Sequence, residues 1–185
     1  REIHKNQFEY SVDKRIFTFF NKVLKKNCSF NILNGLNNLK DENILILVGG
    51  NTITKLSNKK NDLIRSKLDK KYFTQAKKKN IKILGICHGA QFIANCYKAE
   101  FKSSNKHINT IHKVKILKKN YNVNSFHKYI IIRCSKNILR LGFSKENAIE
   151  YFKVKNKKIY GIMWHPERND KISKIDIQLV RKLCN

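Results

Sequence analysis

Three side chains of this chain have the chemistry that covalent acyl transfer requires: a thiol, an imidazole and a carboxylate. Cys87 lies in the segment Leu84–Gln91, where it stands between two glycines directly after an apolar run. His165 lies in the segment Trp164–Glu167, and Glu167 follows it two residues later. A nucleophile, a general base and a group that orients the base are the three parts of this mechanism. The pattern predicts a cysteine-dependent enzyme.

The residues around Cys87 predict a sharp turn from a strand to a helix. Gly85 and Gly89 leave room for the turn, because a strained nucleophile needs small neighbours. The helix N-terminus is then expected to lower the pKa of the thiol, and the backbone N–H of His88 can donate to an oxyanion. Taken alone, the same motif also fits an ordinary glycine-rich turn around a buried cysteine.

His165 is expected at the carboxyl end of a strand, where sites assemble in open α/β sheets. Glu167 can reach the far ring nitrogen of His165 and fix its tautomer. A surface histidine beside a turn proline is the alternative when this motif is taken alone. Gly49-Gly50 ends another strand, and such a pair lets backbone N–H groups approach a ligand closely. It is either a second oxyanion donor or a plain turn.

The remaining polar motifs are less specific. Asn124-Ser125-Phe126-His127 is predicted as a loop before a strand, and it either lines a pocket or is ordinary loop polarity. His107 and His112 fit no strong ligand spacing, so we interpret them as structural or surface residues. The ligand spacing of zinc motifs is missing as well, and we predict no metal site.

Hydrophobic periodicity predicts an α/β layered sheet with right-handed crossovers. Strands and helices alternate between residues 43 and 97, and the second half is richer in strands. A hairpin turn is expected at Asn156. The predicted helices are 12–26, 63–79, 90–97 and 172–183, and the predicted strands are 43–48, 81–86, 111–117, 129–133, 148–154 and 158–164.

Length and composition limit the classes of function. The 185 residues suit one domain, and no apolar run is long enough to span a membrane. Five cysteines without a CxxC pair predict reduced thiols in a cytoplasmic protein. The net charge of +27 suggests an anionic partner, but the abundance of Lys, Asn and Ile also fits codon bias. With few aromatic residues among the lysines, we do not expect a nucleic-acid partner.

Together the motifs resemble the class I glutamine amidotransferase-like family, in its γ-glutamyl hydrolase branch related to γ-glutamyl-γ-aminobutyrate hydrolase. The resemblance covers residues 44 to about 168. It implies a flavodoxin-like three-layer sandwich with a mostly parallel central sheet and a nucleophile elbow. It rests on the joint order of Gly49-Gly50, Gly85-x-Cys87-x-Gly89-x-Gln91, Asn124-Ser125-Phe126-His127 and Trp164-His165-Pro166-Glu167.

The resemblance also implies roles for the site residues. Cys87 would attack the γ-carbonyl of a glutamyl group, His165 would act as the base, and Glu167 would orient His165. A thioester would form and then be hydrolysed, without a metal or an organic cofactor. The implied oxyanion donors are Gly50 and His88, and the implied glutamyl-binding residues are Gly49, Gln91, Ser125, Phe126 and His127.

Two further expectations concern the class of substrate and the extent of the domain. The segment 161–168, the small size and the composition resemble bacterial hydrolases of capsule phosphoramidate synthesis, which release glutamate from a γ-glutamyl group bonded to a nucleotide phosphoramidate. A strongly basic chain suits such an anionic small-molecule substrate. The family normally opens with a short strand, so residues 1–185 are predicted to form a single domain that lacks its first strand.

Other functions stay open at this point. The chain could be a glutaminase subunit that supplies ammonia to a separate synthetase, although it contains no second domain to accept ammonia. It could also be a basic binding module on the same scaffold. The presence of all three catalytic residue types, at Cys87, His165 and Glu167, argues against this alternative. We expect no membrane partner, and a homodimer is one alternative for the oligomeric state.

Overall fold

The computed structural model describes residues 2–4, 7–8, 11–25, 28–40 and 42–184. A seven-stranded sheet is its central feature, and two small two-stranded sheets accompany it. The helices are α1 (Arg15–Leu24), α2 (Lys60–Lys78), α3 (His88–Cys96) and α4 (Lys174–Cys184). The strands are β1 (Glu2–His4), β2 (Gln7–Phe8), β3 (Ile44–Leu47), β4 (Lys82–Ile86), β5 (Glu100–Ser103), β6 (Thr110–Ile116), β7 (Lys119–Ser125), β8 (Tyr129–Arg133), β9 (Ile138–Ser144), β10 (Ile149–Val154) and β11 (Ile159–Ile162).

The parallel part of the sheet positions the candidate site. The strand order is β3-β4-β11-β10-β9-β6-β7, and β4 pairs in parallel with both β3 and β11. The pairing sets Ile86, the last residue of β4, opposite Ile162, the last residue of β11. Both β3 and β4 read as continuous apolar runs, which is why they could be predicted, although only β4 is buried on both faces and Ile44 and Ile46 of β3 are half-buried. The carboxyl ends of the three strands therefore meet at one edge.

The rest of the sheet is antiparallel, which corrects one detail of the expected fold. The sheet is mixed rather than mostly parallel, because β11-β10, β10-β9, β9-β6 and β6-β7 all pair antiparallel. Short turns join several of these strands, and a short turn can only connect antiparallel neighbours. One of these turns contains Asn156, with φ of 56°, where the hairpin turn was predicted. The α/β class itself is confirmed.

Helices cover both faces of the sheet and give the predicted three layers. Side chains of α2 and α3, such as Phe73 and Ile93, pack with Ile83 of β4 in one buried cluster. Side chains of α1 and α4 pack with the opposite face of β4 and β11 in a second cluster. Because neighbouring residues of β4 point to opposite faces, this one strand serves both cores.

Two predictions about the domain, that it is single and that its first strand is missing, are not tested by the structure. Among the described residues, β3 has a strand partner on one side only. The single domain and the missing first strand stay predictions. Across the described residues, we find no helix with both the length and the apolar composition needed to cross a membrane.

Candidate active site

Cys87 lies at a strained turn between β4 and α3. Its backbone has φ of 52° and ψ of −103°, a conformation that residues with a Cβ rarely adopt, and its N–H donates to Ile162 O at 2.8 Å. The two glycines allow the turn, as expected. A Cβ on Gly89 would lie 2.0 Å from Leu47 O, and one on Gly85 would lie 2.6 Å from Gly89 O. The local backbone therefore forms the predicted elbow.

The thiol of Cys87 is neutral, contrary to the expectation of a lowered pKa. Burial raises the pKa of Cys87 to about 12, because the side chain is removed from water at only 7% exposure. A hydrogen bond from the His88 N–H and the charge of Arg168 lower this pKa but do not offset the burial, and the charge of Glu167 raises it. A base must therefore remove the proton before the sulfur can attack a carbonyl.

His165 follows β11, and its ring reaches across the neighbouring strand. A Cβ on Gly49 would lie 2.4 Å from Cε1 of His165, so the ring rests directly on the glycine that follows β3. Since β4 lies between β3 and β11, the imidazole spans the carboxyl end of β4, where Cys87 begins the turn. Gly49 thus makes room for the ring, and any side chain at this position would displace it.

Two contacts fix the orientation of His165. Its Nδ1 lies 2.6 Å from Oε1 of Glu167, and both side chains are buried. A carboxylate only accepts, so Nδ1 carries a proton, and in the neutral ring the lone pair is then on Nε2. The backbone of His165 is held by Asn124, whose Oδ1 accepts from His165 N–H at 2.8 Å and whose Nδ2 donates to His165 O at 2.7 Å.

A buried network holds the loop that contains Gly50. Asp69 of α2 accepts from Arg65 and contacts Nε2 of His88, each at 2.9 Å. His88 in turn contacts Asn51 O through Nδ1 at 2.5 Å, and Arg65 donates to Val48 O at 3.0 Å. The side chain of His88 therefore ties the start of α3 to the loop after β3, while its backbone N–H points to the sulfur of Cys87.

A cavity of about 360 Å³ opens beside Cys87. Its polar wall includes two lysines, Lys59 and Lys128, which suit an anionic group. Its lining also includes the predicted residues Gly50, His88, Gln91, Phe126 and His127.

Three predicted residues differ in their placement. Ser125 is fully buried, and its hydroxyl donates to His107 O at 2.7 Å, so it supports the loop and does not line the cavity. Asn124 and Ser125 belong to the end of β7, which corrects the prediction that both are loop residues. Gln91 lines the cavity, but its amide nitrogen donates to Tyr129 O at 2.8 Å and holds the opposite wall.

A larger cavity of about 1000 Å³ runs along β3 and has a mainly apolar lining. Its lining includes Gly49 and Gly50 from the loop after β3, but neither Cys87 nor His165. The smaller cavity is therefore the candidate active site, because it contains the thiol and the two lysines.

Sequence reasoning missed several residues of this arrangement. The clamp by Asn124 joins a side chain to the backbone of a residue 41 positions away, and no local pattern indicates such a pair. The contact of Asp69 with His88 spans 19 positions. Among these residues, only Asp69 could have been found from the sequence, because Arg65 and Asp69 have the i, i+4 spacing of a helical ion pair.

Comparisons with known proteins show the family and the fold of this chain. One relative, the gamma-glutamyl-CDP-amidate hydrolase of Campylobacter jejuni, is 36% identical over 137 residues, which are 72% of this chain and 66% of that protein. The match therefore spans just under two thirds of the length of that relative.

Two solved structures share the fold. A glutamine amidotransferase from Thermotoga maritima has a TM-score of 0.66 and 20% identity over 81% of this chain and 70% of its own. A proposed GMP synthase subunit from Thermoplasma acidophilum has a TM-score of 0.63 and 24% identity over 78% of this chain and 72% of its own. The family model for class I glutamine amidotransferases matches residues 4–177. The chain therefore belongs to the class I glutamine amidotransferase family.

Proposed function

We propose that this protein is a cysteine-dependent hydrolase that cleaves a γ-glutamyl amide bond and releases glutamate. The observation that carries the proposal is the place of the imidazole: His165 is oriented by Glu167 and spans the strand end at which the strained Cys87 lies. With a thiol at a cavity and an imidazole whose Nδ1 donates to Glu167, covalent acyl transfer is the chemistry that these groups support.

In the first step, the lone pair on His165 Nε2 takes the proton of the thiol while Sγ of Cys87 attacks the γ-carbonyl carbon. The backbone N–H groups of Gly50 and His88 stabilise the negative charge that develops on the carbonyl oxygen. The carbon–nitrogen bond then breaks, and the leaving nitrogen takes the proton from the imidazolium. A γ-glutamyl thioester on Cys87 and the leaving group, with its nitrogen protonated, are the products of this step.

In the second step, water attacks the thioester, and Nε2 of His165 accepts the proton of the water molecule. The carbon–sulfur bond breaks, the thiol of Cys87 regains a proton, and glutamate leaves. Glu167 keeps the proton on Nδ1 throughout, so the ring presents the same nitrogen in both steps. No step draws on any group other than this chain, substrate and water.

We extend the proposal to the leaving group, which we take to be a nucleotide phosphoramidate. The name of the Campylobacter jejuni relative supports this substrate class. Lys59 and Lys128 support it independently, because both line the cavity and can pair with phosphate oxygens. The same proposal includes a location in the cytoplasm and a place in capsule synthesis, and both rest on the sequence resemblance.

The proposal is tested by the release of glutamate from three substrates: γ-glutamyl-CDP-amidate, γ-glutamyl-γ-aminobutyrate and glutamine. We expect the highest kcat/KM for the nucleotide substrate. Cys87→Ala should lower it by about a thousandfold or more, since loss of the nucleophile disables the covalent route. Retained turnover in Cys87→Ala contradicts the thiol mechanism. Hydrolysis of glutamine alone, increased by an added synthetase, would instead favour the ammonia-supplying subunit.

The leaving-group assignment has its own control. In Lys59→Gln and Lys128→Gln, we expect KM for γ-glutamyl-CDP-amidate to rise by about tenfold, with KM for γ-glutamyl-γ-aminobutyrate unchanged. Lys157→Gln removes an exposed lysine at the hairpin turn and should change neither value. Equal effects of the cavity variants on both substrates would contradict the contact with the nucleotide part and leave the hydrolase proposal intact.

A further inference from the structure

A buried carboxylate behind the active-site cavity is surrounded by histidines. Glu150 of β10 is 0% exposed, and within the described residues its ion pairs are with His107, His112 and His127. A buried carboxylate requires compensation by a cation. The chain has 40 lysines and arginines, yet the groups described around this carboxylate are imidazoles.

The nitrogen atoms that face Glu150 do not form hydrogen bonds with it. His107 Nδ1 lies 3.3 Å from Oε1, and His127 Nε2 lies 3.8 Å from Oε2. Neither these nitrogens nor the two carboxylate oxygens have a hydrogen-bond partner among the residues that the structure describes. Buried polar atoms of this kind call for an occupant that the protein itself does not supply.

The outer ring nitrogens of His107 and His127, which point away from Glu150, indicate which tautomer each ring adopts. Nδ1 of His127 lies 3.1 Å from Tyr129 O, and Nε2 of His107 lies 3.4 Å from Oε2 of Glu146. Both partners only accept hydrogen bonds, so the outer nitrogens carry the protons. In the neutral form of each ring, the inner nitrogen presents its lone pair to the space beside Glu150. In metal sites, the histidine nitrogen that does not bind the ion usually donates to a carboxylate, a carbonyl or water, and this contact orients the ring.

We propose that His107, His127 and Glu150 bind a divalent transition-metal ion of the Zn²⁺ type, with His112 as the fourth ligand. One ligand atom from each of the three residues lies within 4.8 Å of the others. Nε2 of His112 lies 3.7 Å from Oε1 of Glu150, and its ring centroid is 4.5 Å from that of His107. Imidazole and carboxylate ligands in a four-coordinate set are typical of Zn²⁺.

The site brings together four elements that no sequence motif connects. His107 ends a 3₁₀ turn, His112 lies on β6, His127 follows β7, and Glu150 lies on β10. This separation explains why zinc-motif spacing predicted no metal site.

A bound ion would act on the active site through two connections. His127 lines the active-site cavity, and Glu150 O accepts from the N–H of Met163, two residues before His165. The ion would therefore fix the loop that forms one wall of the cavity. It would also offset the charge of Glu150, which is one of the charges that raise the pKa of Cys87.

The test is metal binding by the full chain without an affinity tag and in a Cys87→Ala background, so that the active-site thiol cannot form a competing site. After removal of metals with a chelator, we expect calorimetric titration with Zn²⁺ to give one equivalent with a Kd below about 1 μM. Co²⁺ in its place should give the visible bands of tetrahedral coordination without thiolate charge-transfer absorption. Absence of a saturable equivalent in this protein overturns the proposal.

Variants identify the ligands. Glu150→Gln and His107→Ala should weaken Zn²⁺ binding by about a hundredfold or more, and His112→Ala should weaken it less. Glu100→Gln removes an exposed carboxylate on β5 and should leave the Kd unchanged. Zn²⁺ should also raise the Tm of the parent and of Glu100→Gln. Unchanged binding in folded Glu150→Gln, checked by circular dichroism, overturns the proposed ligands.

Discussion

Cys87 combines a backbone conformation that places its sulfur at the cavity with an environment that keeps the sulfur protonated. The burial that raises its pKa to about 12 also excludes water from the reacting atoms, so attack depends on His165 and not on a preformed thiolate. The His88 N–H that contacts the sulfur is the same group that we assign to the oxyanion hole. At the scale of single residues, the site therefore depends on proton transfer to one imidazole.

This dependence predicts the reactivity of the thiol without its base. In His165→Ala, we expect alkylation of Cys87 by iodoacetamide to accelerate about tenfold per pH unit between about pH 7 and about pH 10, without a plateau. The reason is that a thiol with a pKa of about 12 gains thiolate over this whole range. Mass spectrometry of the peptide that contains Cys87 measures the rate.

The denatured chain is the control for that experiment, because unfolding returns the pKa of Cys87 to its ordinary value of 9.0. Its alkylation should level off above about pH 9. A plateau near neutral pH in folded His165→Ala would mean that burial does not control the thiol. In that case, the helix N-terminus would be the dominant influence on its pKa.

At the scale of elements, the strands that sequence analysis found are those with a clear apolar run or a clear apolar alternation. Ile44–Leu47 and Lys82–Ile86 stand out as apolar runs, and both were predicted to within a residue or two. Lys119–Ser125 was missed because its first four residues are polar or partly exposed, so no apolar alternation marks it. Consequently Asn124 was placed in a loop, and its clamp on His165 could not be foreseen.

The clamp by Asn124 predicts a positioning role that is separate from substrate binding. Asn124→Ala should lower kcat by about 10- to 100-fold with little change in KM, because a small displacement of His165 impairs proton transfer while the cavity remains. Asn124→Asp keeps the acceptor for His165 N–H but sets a carboxylate oxygen against His165 O and Asn169 Oδ1, which both accept from Asn124 Nδ2, so it should lower kcat at least as much.

Asn122→Ala, an exposed position on the same strand, is the matched control and should leave kcat unchanged. The pH profile of kcat adds a readout that a purely structural role would not alter, since a displaced imidazole changes the profile of its proton transfer. An increase in KM at constant kcat would contradict the positioning role.

The turn between β4 and α3 predicts a stability effect at the same scale. A Cβ on Gly89 would approach Leu47 O to 2.0 Å, so β3 and α3 must separate to accept it. We expect Gly89→Ala to lower the free energy of unfolding by about 2 kcal/mol or more, measured by urea denaturation. Cys96→Ala, at an exposed position of the same helix, should change it by less than about 0.5 kcal/mol. Equal stability of both variants would mean that the contact relaxes freely.

At the scale of the whole molecule, the sequence could not decide whether the net charge of +27 reflects codon bias or function. The structure separates two groups of lysines. All three of Lys59, Lys128 and Lys157 are exposed, but only Lys59 and Lys128 line the cavity beside Cys87. Codon bias can populate the exposed faces, but only lysines near the site can attract an anionic substrate at short range.

This distinction predicts how ionic strength affects turnover. Raising NaCl from about 50 mM to about 500 mM should lower kcat/KM for γ-glutamyl-CDP-amidate several-fold, because salt screens the attraction between the basic surface and the phosphates. For γ-glutamyl-γ-aminobutyrate, which has no phosphate groups, kcat/KM should change much less. If Lys59→Gln and Lys128→Gln together remove the salt dependence, the cavity lysines carry the attraction. If the dependence persists undiminished in the double variant, the attraction arises from the overall charge, and the abundance of lysine across the surface serves substrate capture as a whole.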